Sequence, residues 1–126
     1  MKLLITGSRK ATPRLLKRAH DAVAYAKSQV GEVIVGDAEG VDAAVIQACD
    51  ELQVPVTVYG AYGRLRRTTN TGRNFPLLVK SYRIRDDVMA KECTHCFALC
   101  HNKSKGTMHT YSRAKVMGKT VWIEED

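Results

Sequence analysis

Five short apolar runs, separated by stretches of helical periodicity, constrain this chain more than any other feature. The runs are Lys2 to Thr6, Glu32 to Val35, Pro55 to Tyr59, Thr94 to Cys100 and Thr120 to Ile123. Near-continuous apolar segments of this length fit strands buried on both faces. Between the first two, Leu15, Leu16, Ala19, Ala22, Val23 and Ala26 recur at spacings of three and four, after an N-cap at Thr12 and a first helical residue at Pro13. Between the next two, Val41, Ala44, Val45, Ala48, Cys49 and Leu52 form a second inward stripe. Further helices are predicted near Tyr82 to Lys91 and from about Gly106 to Met117. Strands alternating with helices predict right-handed crossovers and a Rossmann-like three-layer α/β/α fold around a mainly parallel five-stranded sheet.

The 126 residues make one domain, 1–126, large enough to be held by an ordinary apolar core. With 44% hydrophobic and 26% charged residues, disorder and fibrous repeats are excluded. No apolar stretch reaches the roughly 18 residues that span a bilayer, and the N-terminal run is too short for a signal segment. The expectation is a cytoplasmic protein with no membrane partner. Cys93, Cys96 and Cys100 lie close together with His95 and His101, but their spacing is not that of a zinc knuckle. In a buried strand Cys96 and Cys100 share one face as small hydrophobes and His95 points the other way. No metal and no cofactor are expected.

The net charge of +7 is localised. Residues 60–85 hold Arg64, Arg66, Arg67, Arg73, Lys80, Arg83 and Arg85 and no acid, while the rest of the chain carries 13 positives against 13 acids. Such a concentration points to an anionic partner, set against the plainer reading of a solvated surface loop. The same region, 60–81, lacks periodicity and reads as a long basic loop with an apolar island at Phe75 to Val79. Folded over the strand ends, it would be a lid for phosphates, with Tyr59, Tyr62 or Phe75 stacking on a base; facing away, it would grip a polynucleotide backbone.

In an open parallel sheet the ligand crevice lies beyond the carboxyl ends of the strands. Three small, polar turns fall there: Gly7-Ser8-Arg9, Gly36-Asp37-Ala38-Glu39-Gly40-Val41-Asp42 and Asn102-Lys103-Ser104-Lys105-Gly106-Thr107. Glycine permits close backbone approach, and free N–H groups at helix starts favour phosphate oxygens. Ser8 and Thr107 add hydroxyls and Arg9 a fixed charge. Asp37 and Asp42 admit two readings, as partners of ribose or base, or as a turn cap and a first-turn helix acid. Neither a dinucleotide fingerprint nor a P-loop is present.

These residues carry a resemblance. Leu4 to Arg9, Gly36 to Ala43, Arg83 to Met89 and Ser104 to Thr107, in this order, resemble the SLOG superfamily, which includes DprA, the LOG phosphoribohydrolases and the YspA-like branch; the last is most similar. The resemblance implies a Rossmann-like domain that binds a phosphorylated, nucleotide-derived ligand, commonly as a homodimer or higher homo-oligomer. Its ligand-binding residues would be Gly7, Ser8, Arg9, Gly36, Asp37, Ala38, Gly40, Asp42, Arg85, Ser104, Gly106 and Thr107. An alternative is nucleotide N-glycosidase activity. The LOG glutamate is absent, since Met108-His109-Thr110-Tyr111 follows Gly106-Thr107, so an enzyme would have to use Arg85 with Asp42 or His109. The other alternative is single-stranded nucleic-acid binding, as in DprA.

Overall fold

Alternation along each strand sends neighbouring side chains to opposite faces of the sheet, so a near-continuous apolar strand needs a layer of helices on each side. The computed structural model describes residues 1–126 and meets that need. Its elements are β1 (Lys2–Gly7), α1 (Pro13–Ser28), β2 (Glu32–Val35), α2 (Val41–Leu52), β3 (Val56–Gly60), β4 (Arg73–Pro76), α3 (Tyr82–Glu92), β5 (His95–Cys100), α4 (Lys105–Val116) and β6 (Thr120–Glu125). The six strands run parallel in the order β4-β3-β2-β1-β5-β6. No helix is long and apolar enough to cross a membrane.

Leu3 and Ile5 of β1 face α1 and α2, in a core that also holds Leu15, Val23, Val45 and Val58. Leu4, between them, faces the other way into a smaller core with Met89 and Ala90 of α3 and Ala114 of α4. Each fully buried Val, Leu or Ile is worth about 1.5–3 kcal/mol relative to an exposed one, so the first layer dominates stability. Cys96 joins the smaller core, while His95 stacks on Trp122 with ring centroids 5.8 Å apart.

The sheet has six strands, not the five expected, because the segment 60–81 is ordered. Tyr62 and Gly63 both have positive φ (56° and 69°), and Ala61 pairs with Arg64, which makes a two-residue hairpin turn. Asp50 of α2 receives the amides of Asn70 (3.0 Å) and Thr71 (3.4 Å) and the hydroxyls of Thr69 and Thr71. Burial alone would raise the Asp50 carboxyl, but these hydrogen bonds outweigh it and hold the group below its ordinary range. The anchored turn delivers Arg73 to Pro76 to the edge of β3, with Thr57 opposite Arg73 and Tyr59 opposite Phe75.

Candidate functional site at the carboxyl edge

Successive strands β1 to β4 add to one side of β1, and β5 returns to its other side, so the order reverses between β1 and β5. Loops leaving those two strands diverge and open a crevice. A cavity of about 500 Å³ occupies it; three of its eighteen lining residues are hydrophobic, so it suits a polar occupant.

The three turns converge on this crevice through backbone contacts. The Ser8 amide donates to the Leu99 carbonyl (3.1 Å), the His101 amide donates to Ser8 Oγ (2.8 Å), and the Val41 amide donates to the Ser8 carbonyl (3.2 Å). A Cβ on Gly7 would lie 2.5 Å from the Val41 side chain, and one on Gly40, whose φ is +77°, would collide with the carbonyls of Ser8 and Arg9. Glycine at these two positions lets the start of α2 seat against the end of β1.

Gly7, Ser8, Arg9, Ala38 and Asp42 line the cavity, as do Arg85, Ser104, Gly106 and Thr107. Gly36, Asp37 and Gly40 do not; they stand behind its wall. A Cβ on Gly36 would sit 2.7 Å from Asp42 Oδ2 and 2.9 Å from Arg85 Nη1, so its absence lets those two groups approach. Asp37 is wholly buried and receives Arg85 Nη1 at 2.9 Å, Arg66 Nη2 at 2.7 Å and the Arg66 amide at 2.8 Å. Burial opposes its charge, but the Arg66 hydrogen bonds and both guanidinium charges win and keep its carboxyl below the ordinary range. His109, the alternative catalytic base, does not line the cavity; its ring is bonded to Asp87 (3.1 Å) and Arg83 (3.3 Å).

Arg85 is the hub of the floor. Its Nε donates to Asp86 (2.8 Å) and its Nη1 also reaches the Tyr59 carbonyl (3.1 Å). Asp42 accepts the Ala38 amide at 3.1 Å and has no ion-pair partner; burial lifts its carboxyl to about 7 against the pull of Arg85. Asp86 is likewise raised by burial, with Arg85 opposing. The floor is thus nearly balanced in charge.

The mouth is not. Arg9 and Lys10 are exposed, form no ion pair, and face the cavity with Arg83. Ser104, at the start of α4, accepts the Thr107 hydroxyl (3.2 Å) and no backbone amide, leaving the first-turn amides of that helix free beside them. Asn102 and Lys103, at the same opening, both have φ of 50°, a left-handed conformation that costs non-glycine residues of order 1 kcal/mol each.

Sequence reasoning named Arg66 only as one member of a basic lid and did not single out Lys10, Tyr82, Arg83 or Asp86 as wall residues. Arg66 and Arg83 were visible within the basic run, but the direction of each side chain was not. Arg66 Cζ lies 4.1 Å from the Tyr82 ring centroid, whereas Arg64 sits over Tyr62 and Arg67 lies beside α2, away from the cavity. The basic run is therefore neither one lid nor one stripe.

The chain matches no protein-family profile and no curated protein sequence. Its fold does have solved counterparts. The molybdenum cofactor binding protein of the phototrophic bacterium Rippkaea orientalis superposes with a TM-score of 0.86 at 15% identity, over 99% of this chain and 76% of that one. DprA from Helicobacter pylori, described for its single-stranded DNA binding mode, gives 0.76 at 16% identity over 98% of this chain. DprA from Streptococcus pneumoniae gives 0.76 at 16% identity over 97%. This chain spans 64% and 49% of those two DprA chains. The chain thus has the Rossmann-like fold of DprA that its SLOG resemblance implied.

Proposed function

We propose that this protein binds a phosphorylated, nucleotide-derived ligand at the carboxyl edge of its sheet. The observation that carries the reading is the split in charge across one cavity: an inner part in which Asp42 and Asp86 are offset by Arg66 and Arg85, with Asp37 paired to both guanidiniums behind the wall, beneath a mouth of unpaired cations and free amides. Field lines from such a mouth draw anionic oxygens to Arg9, Lys10 and the Ser104 to Thr107 turn. The uncharged part of the ligand then lies deeper, where Asp42, Arg85 and Tyr82 offer hydrogen bonds to sugar and base. Gly7, Gly36 and Gly40 act by shaping the wall, and Asp37 by holding Arg66 and Arg85. We place the protein in the cytoplasm, where its four buried free cysteines stay reduced.

Native mass spectrometry of the purified protein, followed by calorimetric titration with nucleoside monophosphates and with molybdenum cofactor, tests the reading. A retained or titrated nucleotide whose affinity falls at least about tenfold in Arg9→Ala/Lys10→Ala supports it. Absence of any nucleotide binding, or a preference for molybdenum cofactor, overturns it.

A second reading rests on Asp42, a cavity carboxylate without an ion-pair partner and with a pKa near 7. Such a group can take a proton from a water attacking an anomeric carbon while Arg85 orients the sugar. Release of free base from nucleoside monophosphates, lost in Asp42→Asn with binding retained, would establish N-glycoside hydrolysis. Polynucleotide binding is separated by salt: affinity for a single strand gripped by several arginines falls steeply with ionic strength, and a pocketed mononucleotide responds less.

A further inference from the structure

We infer that the guanidinium plane of Arg66 is the platform on which the base of the ligand stacks, an inference that rests on the nucleotide-binding reading. The aromatic residues expected from the sequence to stack on a base are placed elsewhere: Tyr59 and Phe75 stack on each other with centroids 5.6 Å apart, and neither they nor Tyr62 line the cavity. Tyr82 does line it, and Arg66 lies over the face of that ring, with Cζ 4.1 Å from the centroid. Tyr62 meets the same ring edge-on, with centroids 5.4 Å apart and planes at 72°. Tyr82 thus backs Arg66, and Tyr62 backs Tyr82.

Three contacts with one buried carboxylate fix the plane. The Arg66 amide donates to Asp37 Oδ2 (2.8 Å), while Nε (3.1 Å) and Nη2 (2.7 Å) both donate to Asp37 Oδ1. With one face on Tyr82 and the Nε–Nη2 edge on Asp37, the opposite face and Nη1 stay open, and Nη1 bonds to nothing in the chain. The side chain keeps 28% of its surface exposed. A guanidinium is planar and weakly hydrated, so its open face favours another flat π system over water. Because it is held in place beforehand, it loses little freedom on stacking. Phosphate is the poorer occupant, since the Nε–Nη2 fork that would grip it is spent on Asp37, whose charge offsets that of Arg66.

Spacing along the sheet edge agrees. Asp37, which holds Arg66, lies just past β2, and the free amides of α4 lie just past β5, with β1 between the two strands. Two interstrand steps set these groups about 10 Å apart, a gap that the sugar of a single nucleotide bridges. Such a platform reads flatness rather than identity: it accepts any nucleobase and offers nothing to an abasic sugar phosphate.

Calorimetric titration with nucleoside monophosphates and with ribose 5-phosphate tests this, because the two share sugar and phosphate and differ in the base. Wild type is expected to bind the nucleotides about tenfold or more tighter than ribose 5-phosphate. Arg66→Lys keeps the charge and removes the plane. It should bring nucleotide affinity to within about threefold of the abasic ligand's and leave ribose 5-phosphate binding within about twofold of wild type, with unchanged circular dichroism confirming its fold. Nuclear magnetic resonance on the unaltered protein gives a second measurement. The Arg66 Nε–H, sheltered by its bond to Asp37, should shift upfield in the ring current of a base stacked over it and not on addition of ribose 5-phosphate. Nucleotides bound no tighter than ribose 5-phosphate, nucleotide binding untouched by Arg66→Lys, an equal loss of both ligands in that variant, or an unmoved Nε–H each overturns the inference and leaves the proposed function standing. A wild type that binds no nucleotide overturns both.

Discussion

The layer beneath α1 and α2 and the carboxyl edge of the same sheet are built from opposite materials. The first is a closed apolar core of aliphatic side chains, and none of the chain's buried charged residues belongs to it. The second, within the reach of the same strands, buries Asp37, Asp42, Arg85 and Asp86. Burying those charges costs free energy that apolar packing of equal volume would not. A chain of this size can carry that cost because its core is large, and it does so at one edge only. Substitutions in the two regions should therefore separate stability from ligand binding.

The largest effect is expected where the polar edge is structurally committed. Asp37→Ala leaves the guanidinium groups of Arg66 and Arg85 without their shared partner, at a cost of about 3–5 kcal/mol. Urea unfolding would measure it, and a loss under 1 kcal/mol would mean the network is not structural. Acid should act in the same direction. The Asp37 carboxyl is held below its ordinary range, so the stability it supplies is present at neutral pH and is lost as pH falls through that lowered value.

Leu15→Ala, in the apolar layer, is expected to cost about 2–4 kcal/mol. Ligand affinity of the folded fraction should be unchanged; a change would break the separation between the regions.

Asp42→Asn sharpens the comparison with the opposite sign. A carboxyl raised to about 7 supplies stability below its unfolded value that is lost as pH climbs through 7. The variant should remove that decline and be more stable than wild type at pH 8, by roughly 1–2 kcal/mol, yet equal at pH 4. Thermal melts at the two pH values decide, and parallel pH profiles would rule the assignment out.

The smallest effect on stability belongs to the mouth. Arg9→Ala should leave unfolding within about 0.5 kcal/mol while weakening nucleotide binding, because its side chain pairs with nothing in the chain.

Much of this organisation was legible beforehand. The apolar runs and helical stripes marked every helix and all strands but one, because burial on both faces leaves its trace in residue type. Arg73 to Pro76 could not be read as a strand: with every residue exposed it carries no apolar pattern, and its place is set by Asp50, more than twenty positions away in the chain. The same holds in the site. The three turns were visible as glycine-bearing bends, but the sequence could not show that Gly36 and Asp37 lie outside the cavity lining, packed against Asp42, Arg66 and Arg85. Whether a polar side chain meets solvent, ligand or another side chain depends on which partner the fold brings to it.

By itself, then, the sequence determined the layers and the edge at which the glycine-bearing turns gather, because periodicity and turn chemistry are local properties of the chain. Only the tertiary structure decided which charges are spent on one another and which stay free. Arg66 and Arg85 are neutralised by Asp37 and Asp86, whereas Arg9 and Lys10 are not. Ion pairing is a matter of distances of a few ångströms between residues remote in sequence, and those distances exist only once the sheet has brought its strand ends together.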